Sequence, residues 1–542
     1  MPGSEDIGGG DPRLLRDELD SGGVGAANPA PLDDRIDYAS IPYRGIITAA
    51  VMLATIMQSL DTTIANVALP HMQGALSATR EEMGWVLTSY IVSAAITIPL
   101  SGWMANQFGR RRIFLTSIVL FTAASALCGL ATTLPQIVLF RFLQGIGGAA
   151  LVPLSQAVLF DINPPEHYGR AMSIWGMGVT VGPILGPALG GWLTQHYTWR
   201  YVFYINLPIG VLAFFLLLLT MPESRKAKPR RFDFFGFTAL SLAIAAFQVL
   251  LDRGQLKDWF ASPEIITEAV IAGLGIYLFL VHMFSSAEPF IRPELFKDRN
   301  FVASNVFIFL IGVVLFATLA LLPPMLQDQL QYPVVLTGLV TAPRGFGTLI
   351  AMFLVGRLIG RIDVRLIMVC GLSVTVYSLW QMTQFSLLMG PWPVVWSGVT
   401  QGIGMGFVYV PLSTVAFSTL PTSLRNEGTA FFNLLRNIGS SIGISVVMFM
   451  LTRNTDRVHA ALVQHITPYT SQNNPAVQAS HIDLSSTRGL VALNHLITNQ
   501  ATMIGYIDDF RLMMVMTLIT MPLLLLIRPT AVELPEHGRV LE

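Results

Sequence analysis

The chain has 542 residues, of which 53% are hydrophobic and only 12% charged. Soluble globular chains carry about 25% charged residues, so the composition excludes a soluble enzyme or scaffold and points to a polytopic membrane protein. Its 33 basic and 33 acidic residues cancel, which leaves no electrostatic signature for nucleic acid. The two cysteines, Cys128 and Cys370, both fall in apolar runs, which excludes a disulfide framework.

Residues 1–44 are polar and rich in Gly, Pro and Asp, with no apolar core of a signal peptide. They read as a disordered tail. From Gly45 onward, 14 runs are long enough to cross about 30 Å of hydrocarbon. They cover 45–69, 84–104, 112–133, 137–160, 168–193, 199–221, 234–252, 264–285, 301–322, 335–356, 365–386, 392–417, 428–452 and 509–528.

Ionisable residues deep inside such runs are costly and mark function by default. Asp61 lies well inside the first span, among Gln58, Ser59, Thr62, Thr63 and Asn66. Positions 58, 62 and 66 are four apart and share one helical face, which predicts a wet, inward-facing stripe with Asp61 beside it. The alternative is a structural hydrogen-bond anchor. Arg141 opens the fourth span near its outer end, either as a partner for such a carboxylate or as an interfacial arginine reaching for water.

The fifth span contains GMGVTVGPILGPALGG, Gly176 to Gly191, with six glycines and two prolines in 16 residues. Interior Gly and Pro cost a soluble helix about 1 and 3 kcal/mol each, but a membrane helix tolerates them where neighbours satisfy the freed backbone. Gly178, Gly182, Gly186 and Gly190 recur every four residues and invite close helix approach. Pro183 and Pro187 predict a bending helix.

Tyr90, Gln156, Asn305, Tyr409 and Asn433, with Gln58, Asn66 and the deeper arginines Arg344 and Arg436, are candidates to line a cavity. Asp252 and Asp328 stand at span ends, where hydration is cheap. Of nine histidines only His282 falls within a span, with no obvious partner. Four others (His459, His465, His481, His495) lie in the one long connection, 453–508, at spacings that fit no metal motif. That connection reads as a solvated, partly helical segment, and no metal site is expected.

Loop charge orients the spans. With the N-terminus inside, the inside loops and their edges carry 16 Arg and Lys, including Arg110, Arg111, Arg112, Arg230 and Arg231. The short outside loops carry Arg80, Arg200, Arg253 and Lys257. Basic residues stay inside, which predicts both termini in the cytoplasm and 453–508 outside.

The two halves of the chain echo each other. QGIGGAALVPLS from Gln144 matches QGIGMGFVYVPLS from Gln401, and GWMANQFGRRR from Gly102 matches GRLIGRIDVRL from Gly356, at offsets of 257 and 254 residues. The repeat is offset by eight helices, in parallel orientation. It predicts an all-α major facilitator fold, with two six-helix bundles and two helices inserted between them. The implied organisation is a 1–44 tail, a 45–221 bundle, a 222–300 linker with the two inserted helices, a 301–528 bundle and a 529–542 tail.

LDTTIANVALP (Leu60 to Pro70), RFLQGIGGAA from Arg141 and GPILGPALGG from Gly182 resemble the motifs of 14-helix drug:proton antiporters. NQATMIGYIDDF (Asn499 to Phe510) resembles the EmrB-like branch of that family. The resemblance implies proton coupling through Asp61 and Arg141, and an exporter's bending fifth helix. It also implies a cytoplasmic loop motif at Gly102, Asn106, Gly109, Arg110 and Arg111. The loop departs from the family pattern: Asn106 replaces an acid and Gln107 a base, which argues against a charge-relay lock there.

The expected function is proton-driven export of amphiphilic or hydrophobic compounds across the bacterial inner membrane, with no cofactor. The EmrB-like branch implies a periplasmic adaptor and an outer-membrane channel as partners; a self-sufficient pump is the alternative. Same-fold export of a sugar, peptide, siderophore or metabolite stays open. A membrane-embedded enzyme is disfavoured by the lack of a catalytic constellation in the spans. No GxxxxGK[ST] motif occurs, which removes ATP hydrolysis by this chain as the energy source.

Overall fold

A computed structural model of the chain describes residues 43–222, 231–465 and 486–528. Residues 1–42 and 529–542 of the expected tails, the basic run at 225–230 and His481 lie outside the described residues; Arg44, read as tail, already belongs to the first helix. Fourteen helices in the described residues are long and apolar enough to cross a membrane. The first six are α1 Arg44–Leu76, α2 Glu82–Phe108, α3 Arg110–Leu130, α4 Leu134–Ile162, α5 Pro165–His196 and α6 Tyr201–Thr220. Two follow, α7 Phe234–Arg253 and α8 Pro263–Ser285. The last six are α9 Arg299–Gln329, α10 Val334–Leu358, α11 Val364–Met382, α12 Trp392–Ser418, α13 Thr422–Gln464 and α14 Thr487–Leu526.

Helix ends are fixed by local chemistry. Thr79 and Glu82 form a reciprocal capping box at the start of α2, with the Thr79 amide 2.8 Å from the Glu82 carboxylate. Asp298 accepts the Phe301 amide at 3.0 Å to start α9. Asp233 caps α7 through the Gly236 amide at 2.9 Å and also accepts the Phe290 amide after α8. The same Asp233 lies 2.9 Å from His282. His282 therefore does have a partner, contrary to the sequence reading; the two are 49 residues apart, a separation that no local spacing rule spans.

Helices α1–α6 and α9–α14 form two bundles built alike. α1 packs on α5 and α9 on α13; α4 packs on α2 and α3, and α12 on α10 and α11. The bundles meet through α5 on α10 and α2 on α13, while α7 and α8 pair with each other and α7 rests on both α2 and α13. α13 and α14 run well beyond the lengths read from hydropathy. At about 1.5 Å per residue they outreach the hydrocarbon, and their extensions toward the α13–α14 connection pair, with His459 3.1 Å from Asn494. The segment read as partly helical is helical over 453–464 and 487–508.

Candidate functional site

Asp61 and Arg141 meet. Both are fully buried inside the first bundle, at 0% and 1% exposure, and Arg141 Nη1 donates to Asp61 Oδ2 at 2.7 Å. The other carboxylate oxygen accepts from Gln144 Nε2 and Asn206 Nδ2, each at 2.8 Å. Arg141 also donates to Gln144 Oε1 at 2.8 Å and to the Val86 carbonyl at 3.2 Å, and its guanidinium lies 4.3 Å over the Tyr90 ring. Tyr90 in turn accepts from Gln58 at 3.1 Å. The arginine does not reach for water: it is held inward.

The geometry follows from helix periodicity. Arg141 and Gln144 are three apart on α4 and share a face, so both reach the same carboxylate on α1. Asn206, on α6, closes the third side and also donates to Ser125 of α3 at 3.0 Å. Gln144, Ser125 and Asn206 were not read as site residues. Asn206 carried a signal, an amide inside an apolar run; Ser125 carried none. The predicted stripe is wetter than its neighbour: Asn66 is exposed and Gln58 half-buried, whereas Asp61 is dry.

An ion pair this dry is sensitive to loss of one partner. Removing one charge from a buried pair costs about 3–5 kcal/mol, because the other is left uncompensated. A proton on Asp61 does the same to Arg141. Loss of either charge therefore disfavours this dry arrangement relative to one in which the remaining group is hydrated.

The Gly-Pro segment lies directly behind this site. A Cβ on Gly178, Gly182, Gly186 or Gly190 would collide with Met52, Ser59, Thr63 or Ile64 respectively, so all four glycines face α1. Pro183 lacks the amide that would bond the Val179 carbonyl, and the Ser59 hydroxyl donates to that carbonyl at 2.6 Å instead. Thr63 similarly donates to the Gly182 carbonyl at 3.1 Å. The helix bearing Asp61 and the helix bearing the prolines are thus fastened backbone to side chain, two residues on either side of the carboxylate.

The loop-motif residues sit at the end of the bundles that carries the α2–α3 connection, where the two bundles touch. Gly102 leaves only 2.9 Å between an ideal Cβ and the Asn426 carbonyl. Asn106 donates to Glu427 at 3.1 Å and accepts from Asn426 at 2.5 Å. Arg110 binds Asp161 and Asn426. Arg425 lies 3.6 Å from Asp161 and 2.7 Å from the Tyr168 hydroxyl, and Arg292 is 3.0 Å from Glu427. With an amide at position 106, the acidic charges of this contact reside on Asp161 and Glu427, which were not read from the sequence. Gly109 makes the α2–α3 turn at φ +92°, and Arg111 donates to the Leu218 carbonyl at 2.6 Å.

The cavity candidates divide. Gln156 and Asn433 join the two bundles at 3.2 Å, and Tyr409 stacks on Trp175 at 5.8 Å while accepting from Arg436 at 2.9 Å. Asn305 instead bonds its own helix at the Phe301 carbonyl, 2.8 Å away. Arg344 is 8% exposed, and its Nη1 and Nη2 have no hydrogen-bond partner among the described residues.

Known proteins agree with this architecture. A profile of the Major Facilitator Superfamily matches residues 51–444. The fatty acid resistance protein FarB of Neisseria gonorrhoeae is 34% identical over 485 residues, 89% of this chain and 96% of that protein. The multidrug export protein EmrB of Escherichia coli K12 is 36% identical over 441 residues, 81% of this chain and 85% of that protein. Among solved structures, the human organic anion transporter MFSD10 superposes with a TM-score of 0.58 at 14% identity, covering 89% of this chain and 100% of that one. The proton:xylose symporter XylE gives 0.56 at 16% identity, covering 86% and 94%. Fourteen membrane-length helices, a duplicated bundle and a profile match across most of the chain lead to one conclusion: this multi-pass membrane protein belongs to the major facilitator superfamily.

Proposed function

We propose that this transporter exports amphiphilic or hydrophobic compounds across the bacterial inner membrane in exchange for protons, by alternating access. The observation that carries the reading is the dry Asp61–Arg141 pair. In this conformation the α2–α3 end, assigned to the cytoplasm by the basic loop residues, is closed by the contacts of Asn106, Arg110, Arg425 and Arg292. Asp61 is ionised and held by three donors. A proton arriving from outside cancels its charge, strands Arg141 in a dry site and so disfavours the closed end. Opening inward hydrates the pair and releases the proton to the cytoplasm. Proton binding thus acts through a differential interaction with two states, which any coupled switch needs. The proton gradient replaces a cofactor.

Relatives named for multidrug export and for fatty acid resistance support an amphiphilic cargo. One observation favours a narrower version, a cargo with a carboxylate: the buried guanidinium of Arg344 has no acidic partner among the described residues. The paired outer extensions of α13 and α14 offer a helical surface for a periplasmic adaptor that leads to an outer-membrane channel.

The test is efflux from cells lacking their own pumps, over a panel of matched cationic and carboxylate amphiphiles. Expression of the protein lowers accumulation, and an uncoupler abolishes the effect. Arg344→Gln lowers carboxylate efflux selectively. Efflux that survives complete loss of the proton gradient contradicts the proposal.

A further inference from the structure

The Asp61 switch leaves unused a second buried carboxylate, Asp509, in the GYIDDF run of α14. Asp509 is 1% exposed, and neither of its oxygens has a hydrogen-bond partner among the described residues. The contrast with Asp61, which accepts three hydrogen bonds, is complete.

No basic side chain pairs with it among the described residues. On α14, Asp508 is 3.2 Å from Arg511 in an exposed pair, and the Tyr506 ring is buried at 4% exposure. Phe510 packs edge-on against Phe385, beyond the end of α11, at 5.9 Å. One turn inward, the Met513 sulfur lies 3.5 Å from the Thr318 hydroxyl of α9. The charged group that α9 contributes at this level is Asp328, in the π-turn Met325–Gln329. α13 presents Leu451 and Thr455 to Gly505. Its Arg453, Asp456 and Arg457 make no ion pair with Asp509 among the described residues. The last turn of α11, Leu379 to Met382, contains no titratable side chain.

A charged carboxylate in such a place bears several kcal/mol of uncompensated desolvation, whereas the neutral acid bears far less. Carboxylates buried toward the interior of a transporter's helix bundle are the residues that serve as proton relays. We propose that Asp509 is a second proton-binding site, neutral in the conformation in which Asp61 is charged. The two carboxylates stand on different bundles and in opposite protonation states. When the bundles rearrange and water reaches α14, Asp509 releases its proton as Asp61 has done. The cycle then moves one proton more per cargo than Asp61 alone accounts for. Only this last step rests on the proton-driven reading; the protonation state of Asp509 does not.

The experiment therefore has two arms. Infrared spectra of the purified full chain at neutral pH contain a protonated-carboxyl band that disappears in Asp509→Asn, persists in Asp61→Asn and returns in Asp509→Glu. An unchanged band in a folded Asp509→Asn protein shows that Asp509 is ionised and overturns the proposal. In liposomes, the reversal potential for an amphiphile that the wild type exports gives a coupling ratio one proton per cargo lower in Asp509→Asn than in wild type. An equal ratio overturns the relay role. If the wild type shows no gradient-driven export at all, the proposed function fails, and the infrared arm still decides whether Asp509 holds a proton.

Discussion

The first bundle contains a charged site, and the second repeats its packing without its chemistry. Gln401 follows Gln144 by 257 residues, and the same shift takes Asp61 to Thr318 and Arg141 to Gly398. Gln401 donates to Thr318 at 3.2 Å, as Gln144 does to Asp61. The amide–α-helix contact survives while both charges are gone. Close packing is duplicated as well. The shift takes Gly182 and Gly186 to Gly439 and Gly443, which abut the Phe309 and Val313 carbonyls of α9 as the first pair abuts α1. It takes Pro183 and Pro187 to Ser440 and Ile444. Glycines at these positions serve architecture in both bundles; the prolines and the ion pair are confined to one. The second bundle has ionisable groups of its own, Arg344 and Asp509, on other helices and with no ion-pair partners among the described residues.

Substitutions that treat the two bundles alike can break this comparison. The largest expected effect comes from Arg141→Met, which leaves the Asp61 charge buried and alone. It lowers stability by about 3–5 kcal/mol, seen as a drop in the melting temperature of the purified protein. Asp61→Asn in the same chain restores part of that loss. Next, Gly186→Leu and Gly443→Leu overpack equivalent helix contacts and each cost about 1–3 kcal/mol, with matching falls in membrane abundance. A harmless Gly443→Leu beside a damaging Gly186→Leu breaks the equivalence. The smallest effect belongs to Thr318→Val, the neutral counterpart of Asp61. It removes the hydroxyl that bonds Gln401, the Val314 carbonyl and the Met513 sulfur, at about 1 kcal/mol for each full hydrogen bond lost, and leaves the proton dependence of export unchanged.

The fold was legible because hydropathy needs only composition over a window, and a parallel repeat needs only two matching runs. Asp61 and Arg141 were legible because charge is rare in a span. The partners that define their chemistry were harder. Gln144 and Asn206 are neutral amides, whose presence in a span is less costly and hence less conspicuous. The partners of Asn106 were not legible, because the contacts it makes to Asn426 and Glu427 lie about 320 residues along the chain. The long outer parts of α13 and α14 are polar, so a hydrophobic window stops where the helices do not. His282 illustrates the same limit, since its partner Asp233 caps the neighbouring helix.

The most direct test of the central claim is proton-driven uphill transport by purified Asp61→Asn protein in liposomes. Asn keeps the shape and some hydrogen-bonding capacity of the protonated acid but cannot release a proton. The account predicts a folded protein that still binds cargo and shows no accumulation against a gradient, whatever the imposed pH difference. Proton-driven accumulation at the wild-type rate would contradict it.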